Sequence, residues 1–451
     1  MFFLSYNEIY KSRFTSIDPE EEYRKRFNSY SAMKTDFIIS PMDKKVGYKL
    51  KSIKYNLFLN NLPKLTGLVS ECHKESTKLS VLLEQLSNKQ IDDFLNYLLI
   101  EEMQSTNEYE GVKSTRKELG EAIQAIKEKD ESHRFYGLSK LYSEIAIGKS
   151  KVIKTPKDIR LLYDDLVAPE VELDNQLGEE SLFRNDTVQV GSSSGAVHFG
   201  EDPEKIEEQL QMMLDFINLP DKQFPNILKI IISHYMFEYI HPFFDGNGRV
   251  GRYILSNYLS KELDIASSLL MSRAVKVNRQ KYEKAFLTIS EKDNFGEGTF
   301  FVIALLELLL ELQREIRYEL QQNNKLRYRA KVAYKKTLSN TPFAFEVFQV
   351  YFDHALYYPN EVLSRKDILE SIDQDISPYM MRKIEAELLN KELLEKSGEK
   401  PVTYRIDSYR KNSLIKNDRL DFYNEDGSFN EKAHKKYLRD LDNLGIKINS
   451  I

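Results

Sequence analysis

Residues 241–252 read HPFFDGNGRVGR: one imidazole, one carboxylate, one amide, three glycines and two guanidiniums in twelve positions. They follow directly on FPNILKIIISHYMFEYI (residues 224–240), an apolar stretch with Pro225 near its start. That stretch predicts a buried helix ending at His241, with Pro242 forcing the chain out of it. GNGRVGRYILSNYLSKEL then predicts a second helix, and Gly246 and Gly248 let backbone amides converge at its N-terminus. Such a terminus suits an anion, because unpaired amide donors and the positive end of the helix dipole coincide there. Arg249 and Arg252, three apart, can share a face and offer planar forks to outer phosphate oxygens. Asp245 is a hard oxygen ligand suited to a magnesium ion bridging phosphates, and Asn247 can donate to a phosphate oxygen without adding charge. His241 is the group in the set able to take a proton near neutral pH.

The motif contains no serine, cysteine or threonine, so it does not suggest a covalent enzyme intermediate. The nucleophile should come from a second substrate, and a hydroxyl on a protein or peptide fits. Phosphate transfer depends on positioning and charge neutralisation, so a base worth roughly 10²- to 10⁴-fold, a metal and two arginines form a sufficient kit.

Working outward, 451 residues exceed one compact core and suggest two or three domains. With 41% hydrophobic and 30% charged residues and no run of eighteen apolar positions, the chain reads as cytoplasmic, with no membrane partner. Its one cysteine, Cys72, excludes an internal disulfide framework and a cysteine-rich zinc module. A net charge of −5 argues against nucleic-acid binding by the whole chain. Helical periodicity dominates, in KLSVLLEQLSNKQIDDFLNYLLIEEMQ, EKIEEQLQMMLDFIN and TFFVIALLELLLELQREIRYELQQ. The clearest extended pair is TVQV and AVHF, joined by GSSSG, which reads as a hairpin. After Pro342 come three short helices, with Ser364 and Ser377 as N-caps and Pro378 at a first helical position, and then a two-stranded wing around Gly398.

These residues carry a resemblance. HPFFDGNGRVGR resembles the Fic family motif HPFx[D/E]GNGRxxR at every defined position. The resemblance implies an α-helical core that transfers AMP from ATP to a Ser, Thr or Tyr hydroxyl of a target protein, including the enzyme itself. It makes His241 the base, Asp245 the Mg²⁺ ligand, and Asn247 with the glycine turn the α-phosphate site. Arg249 and Arg252 then hold the β and γ phosphates. A relative with lysine at the place of Gly248 transfers phosphate instead, so the glycine favours AMP transfer by analogy. TNEYEG (residues 106–111) resembles the family's inhibitory-helix pattern [S/T]xxxE[G/N], with Thr106 and Glu110 on one helical face. It implies that Glu110 pairs with Arg252 and occupies the γ-phosphate position. LFRNDTVQVG through AVHFGEDP resembles the Fic flap, with Arg184, Val188 and Val190 in the segment expected to dock a target backbone by strand addition. Where relatives carry Tyr-Tyr near the nucleotide base, this chain has Tyr282 followed by Glu283, so another nucleotide such as UMP stays open.

The expected fold is therefore mainly α: a Fic-type helical core with a β-hairpin flap, plus a C-terminal winged helix-turn-helix domain. The expected layout is an N-terminal helical region over 1–125 with the inhibitory helix at about 100–111, a core over 126–340 with the flap at about 183–200, a winged-helix domain over 341–407 and a charged tail over 408–451. De-AMPylation using Glu110, a homodimer, and DNA binding by the winged helix through Arg382 and Lys383 stay open. Glu385 and Glu387 beside those two basic residues make a solvated or protein-facing surface an equal reading. His234, seven residues before His241 and about 10 Å along a helix, is too far to share a metal with it and reads as a core histidine. IGKS at 147–150 imitates the end of a P-loop, but Ser143 stands where the first glycine is required.

Overall fold

The computed structural model describes residues 3–406 apart from 12–16, 44–48, 172–176, 179–180, 192–196, 221–223, 338–340, 359–360, 373–374 and 400–401. The expected charged tail and most of the GSSSG turn lie outside the described residues. The chain divides into two compact units, Met1–Val81 with Leu98–Arg314, and Leu82–Tyr97 with Glu315–Ile451. The molecule is mainly helical. Among the described residues, no helix is long and apolar enough to cross a membrane.

The first unit is built around the helix Asn226–Ile240, which is buried on nearly every side and apolar on nearly every side. A helix without a polar face belongs in a core. Ile206–Asn218 and Asn247–Leu259 both pack against it. Asn247–Leu259 is itself buried along its whole length, its two arginines included. Burying each Ile, Leu or Phe of this layer contributes on the order of 2 kcal/mol, which fixes the loop between the two central helices.

The helical run after residue 78 breaks in two. Pro63–Leu83 and Asn88–Tyr109 are separate helices, and Gln90 Oε1 accepts from the Ser87 backbone N–H at the start of the second. The segment expected to inhibit is thus the C-terminal half of a 22-residue helix. The flap strands are Gln189–Gly191 and Val197–Phe199, antiparallel, with Val190 opposite His198.

A second antiparallel pair, Ala32–Ile39 with Tyr55–Asn60, was not anticipated. Its signal was present, since Met33, Thr35, Phe37 and Ile39 alternate as buried positions along AMKTDFII. Thr35 breaks the apolar pattern, and its hydroxyl is satisfied inside by the Leu57 carbonyl at 2.7 Å.

In the second unit, Ala344–Tyr357, Arg365–Glu370 and Pro378–Asn390 precede the strands Leu394–Glu399 and Val402–Ile406. Ser364 and Ser377 accept from Asp367 and Met380 amides as helix caps. A short strand, Leu363–Ser364, completes a three-stranded sheet by pairing with Val402–Ile406. Val347, Phe348, Tyr351, Ile368, Ile384 and Leu388 form its core. Glu385 does not contribute to the surface. It is buried, held by three bonds from the Arg365 guanidinium and one from the Tyr404 hydroxyl.

Candidate active site

His241 ends the Asn226–Ile240 helix in the left-handed region, with φ 55° and ψ 65°. That conformation is costly for a residue with a Cβ and persists only where the surroundings hold it. They do so through Arg184. Its amide donates to the Pro242 carbonyl at 3.1 Å. Its guanidinium donates to the carbonyls of His241 at 2.7 Å and Ile240 at 3.3 Å, and also to those of Glu201 and Asp186. Arg184 is 2% exposed, so its side chain clamps the base of the flap to the histidine loop. Burial lowers its pKa to about 10, against neighbouring carboxylates that raise it. Val188 stands beside this clamp, its carbonyl accepting from the Gly200 amide. Val190 lies in the paired part of the hairpin.

The loop after His241 is fixed by its aromatic residue and its amide. Phe243 is fully buried, stacked on Tyr163 with centroids 4.1 Å apart and tilted against Phe183. Asn247 bonds Phe243 twice, accepting from its amide at 2.9 Å and donating to its carbonyl at 2.8 Å. Its side chain therefore shapes the loop, although the sequence suggested it as a phosphate donor. Gly246, at φ 77°, starts the Asn247–Leu259 helix, and a Cβ there would lie 2.2 Å from Val167. This helix start has no side-chain cap, so its first-turn amides are the donors a phosphate could use. Asp245 is exposed beside them and accepts from the Gly246 amide. Among the described residues, no group of three or more His, Cys, Asp or Glu side chains converges on a metal position. A magnesium ion carried on nucleotide phosphates needs only one or two protein carboxylates, so Asp245 fits that demand.

Both motif guanidiniums are already matched by carboxylates. Arg252, 1% exposed, donates to Glu110 Oε1 at 2.6 Å, to Thr106 Oγ1 at 2.9 Å and to the Thr106 carbonyl at 3.3 Å. Burial disfavours its charge, but Glu110 and nearby groups outweigh that and raise its pKa. The carboxylate reaches this point because Gly248 has no side chain, since a Cβ there would sit 2.2 Å from Glu110 Oε1. Arg249, 2% exposed, is held by Glu170 at 2.7 Å. Glu170 also accepts from Arg134 at 3.2 Å, and Arg134 donates to the Lys113 carbonyl at 3.1 Å, just past Gly111.

The helix bearing Thr106 and Glu110 is anchored below them. Glu102, buried, accepts from the Ser272 and Arg273 amides and the Ser256 hydroxyl, capping the helix Met271–Val277. Tyr109 lies between the Arg252 and Arg279 guanidiniums, at 4.8 and 4.6 Å, and its hydroxyl reaches Glu283 at 3.3 Å. Glu283, next to Tyr282 in the chain, is held by Arg279 at 2.8 Å. Tyr282 is buried edge-on to Tyr109 and hydrogen-bonded to His234 at 2.8 Å. Burial, and secondarily Arg252, lowers the His234 pKa to about 3, so His234 stays neutral.

Reasoning from sequence named His241, Asp245, Gly246, Asn247, Gly248, Arg249, Arg252, Thr106 and Glu110, and all of these lie in the first unit around one cradle. It missed Glu170, Glu102, Tyr109 and Glu238. Glu170 follows Ala168-Pro169 in a short turn, and nothing in local sequence marks such a carboxylate as an arginine partner.

Comparison with known proteins places this geometry in context. Residues 154–259 match the Fic/DOC family. The chain is also similar to a Fic family protein from Desulfovibrio desulfuricans G20, at 18% identity and TM-score 0.47 over 77% of this chain and 97% of that one. A Fic domain containing signaling protein from Bacteroides thetaiotaomicron VPI-5482 matches at 18% identity and TM-score 0.32, over 57% of this chain and 95% of that one.

Proposed function

We propose that the Fic/DOC domain of this chain transfers AMP from ATP to a Ser, Thr or Tyr hydroxyl of a protein, with Glu110 as an internal brake. The carrying observation is the Glu110–Arg252 pair supported by Thr106. One guanidinium cannot serve this carboxylate and a γ-phosphate in the same geometry.

In this reading the target hydroxyl oxygen bonds to the α-phosphorus, the bond from that phosphorus to the bridging oxygen breaks, and pyrophosphate leaves. His241 takes the hydroxyl proton. First-turn amides of Asn247–Leu259 receive the α-phosphate oxygens, while Arg249 and Arg252 hold the outer phosphates once their carboxylates yield. Asp245 would hold Mg²⁺, which supplies charge neutralisation across the phosphates. Arg184 keeps His241 in place.

A second reading uses the same carboxylate differently. Glu110 is fixed directly above Gly248, where it could orient a water for removal of AMP from a modified protein. For the C-terminal unit, the helix, helix and hairpin order supports a winged helix. With Glu385 turned inward, the outer face of Pro378–Asn390 shows Tyr379, Arg382, Lys383 and Asn390. Acidic residues still outnumber basic ones over 342–406, twelve to eight, which favours a protein partner over DNA.

The test is intact mass after incubation with Mg²⁺ and ATP. Wild type, Glu110→Gly and Glu110→Gly/His241→Ala are compared. A gain of about 329 Da, one AMP unit by the chemistry of phosphoester formation, in the middle sample alone supports transfer, base and brake together. Absence of gain in all three, with ATP still bound, turns the reading toward AMP removal.

A further inference from the structure

Beside the cradle stands an acid that the chemistry above leaves unused. Glu238 lies one turn before His241 on the Asn226–Ile240 helix, its carboxyl 15% exposed. Glu238 Oε2 is 4.0 Å from His241 Nδ1. Glu238 Oε1 is buried and makes no hydrogen bond among the described residues. Space for it is provided by the neighbouring helix, because a Cβ on Gly251 would lie 2.4 Å from Glu238 Oε1. The second glycine-arginine pair of the motif, Gly251-Arg252, thus has its own reason: Gly251 admits the acid and Arg252 faces it.

A carboxyl lodged in this way is costly unless it has work with a partner, since a buried acceptor without a donor loses its hydration. The groups facing it are His241 at the end of its own helix, Arg252, Glu110 just past the end of Asn88–Tyr109 and Tyr282 from Arg279–Ser290. Of these, Arg252 is already bonded to Thr106 and Glu110, and His241 has a ring nitrogen turned to the carboxyl. A rotation of either side chain by about 1 Å brings the pair to hydrogen-bond distance.

We infer that Glu238 is a positioning residue for His241: as the pair closes to hydrogen-bond distance its carboxyl releases its proton to solvent, and the carboxylate accepts the Nδ1 proton in a hydrogen bond, fixes the imidazole tautomer and leaves Nε2 to take the target's hydroxyl proton. This rests on the AMP-transfer reading for its purpose, but not for its observation. A base held by a carboxylate on its far nitrogen is oriented and made more basic in the same step.

The experiment is nitrogen NMR of histidine-labelled full-length protein, with His241 assigned by its loss in His241→Ala. It is combined with kinetics in the Glu110→Gly background. Glu238→Gln is expected to lower the His241 imidazole pKa by about one unit and to mix its tautomers, because the negative neighbour is gone. Gly251→Ala, which leaves Glu238 intact and fills its space, is expected to do the same, and Glu238→Asp to fall between. AMP transfer should drop roughly tenfold or more in kcat with the KM for ATP unchanged, and the acid limb of the rate profile should move to lower pH. Unchanged His241 resonances in both Glu238→Gln and Gly251→Ala overturn the inference, whatever the activity. Shifted resonances in a protein that never transfers AMP leave the positioning role standing and remove only the transfer reading.

Discussion

The Glu110 carboxylate and the Arg252 guanidinium meet at 2.6 Å although 142 positions separate them in the chain. The contact is held on both sides. Glu102 welds the same helix to Ser256 and Ser272 about two turns further in, and Tyr109 fills the space between Arg252 and Arg279. Release of this pair therefore needs only residues 106–110 to yield, and not departure of the whole helix.

From this pair comes the first expectation. Glu110→Gly removes the competitor for Arg252 and should raise the initial rate of self-modification by at least about tenfold, the factor equivalent to about 1.4 kcal/mol. Thr106→Val should give a smaller rise, since it removes only the hydroxyl that helps position the guanidinium. Initial rates by intact mass in the three proteins decide it, and equal rates throughout would remove Glu110 from regulation.

Arg184→Ala leaves the carbonyls of His241, Ile240, Glu201 and Asp186 without their shared donor. Unsatisfied buried acceptors cost about 1–3 kcal/mol each before relaxation. Urea unfolding should show a loss of that order, and AMP transfer should fall further than stability does, because the histidine loop is what loosens. Arg184→Lys should not restore either property, as one ammonium cannot reach four carbonyls set around a planar fork.

Glu170→Ala strands the buried Arg249. Removing one member of such a pair costs about 3–5 kcal/mol, whereas replacing both by apolar groups can be nearly neutral. The double change Glu170→Met/Arg249→Met should therefore unfold at higher urea than Glu170→Ala alone. The opposite order would show that Arg249 is not held by this contact.

Burial pushes the Glu238 carboxyl up to about 8, with Arg252 opposing and Glu110 assisting. The folded chain binds this proton more tightly than the unfolded chain, where the group titrates near 4.5. Its stabilising contribution is complete below that ordinary value and is lost as pH rises through about 8. Thermal unfolding of wild type and Glu238→Gln, compared at pH 5 and pH 8.5, should show the variant gaining on wild type at the higher pH. A constant difference between the two would mean the carboxyl is not perturbed.

Local sequence determined much of this protein. The apolar run before His241, the proline after it and the spacing of Gly246, Gly248, Arg249 and Arg252 determine a helix, a turn and a second helix whose end can cradle phosphate. Serine caps at 364 and 377 determine where two C-terminal helices begin. These features were legible because turn chemistry, capping and hydrophobic period act over only a few residues. The strand over Ala32–Ile39 is legible in its alternation, with Thr35 as the one interruption of the apolar pattern.

Only the tertiary structure decided which carboxylate meets which arginine, and where each functional side chain spends its hydrogen bonds. It assigned Glu170 to Arg249, turned Asn247 onto Phe243, sank Arg184 beneath the flap and set Glu238 against Gly251. None of these follows from spacing along the chain. A buried charge takes its partner from whatever side chain packing brings within a few ångströms, and packing joins residues that the sequence keeps far apart.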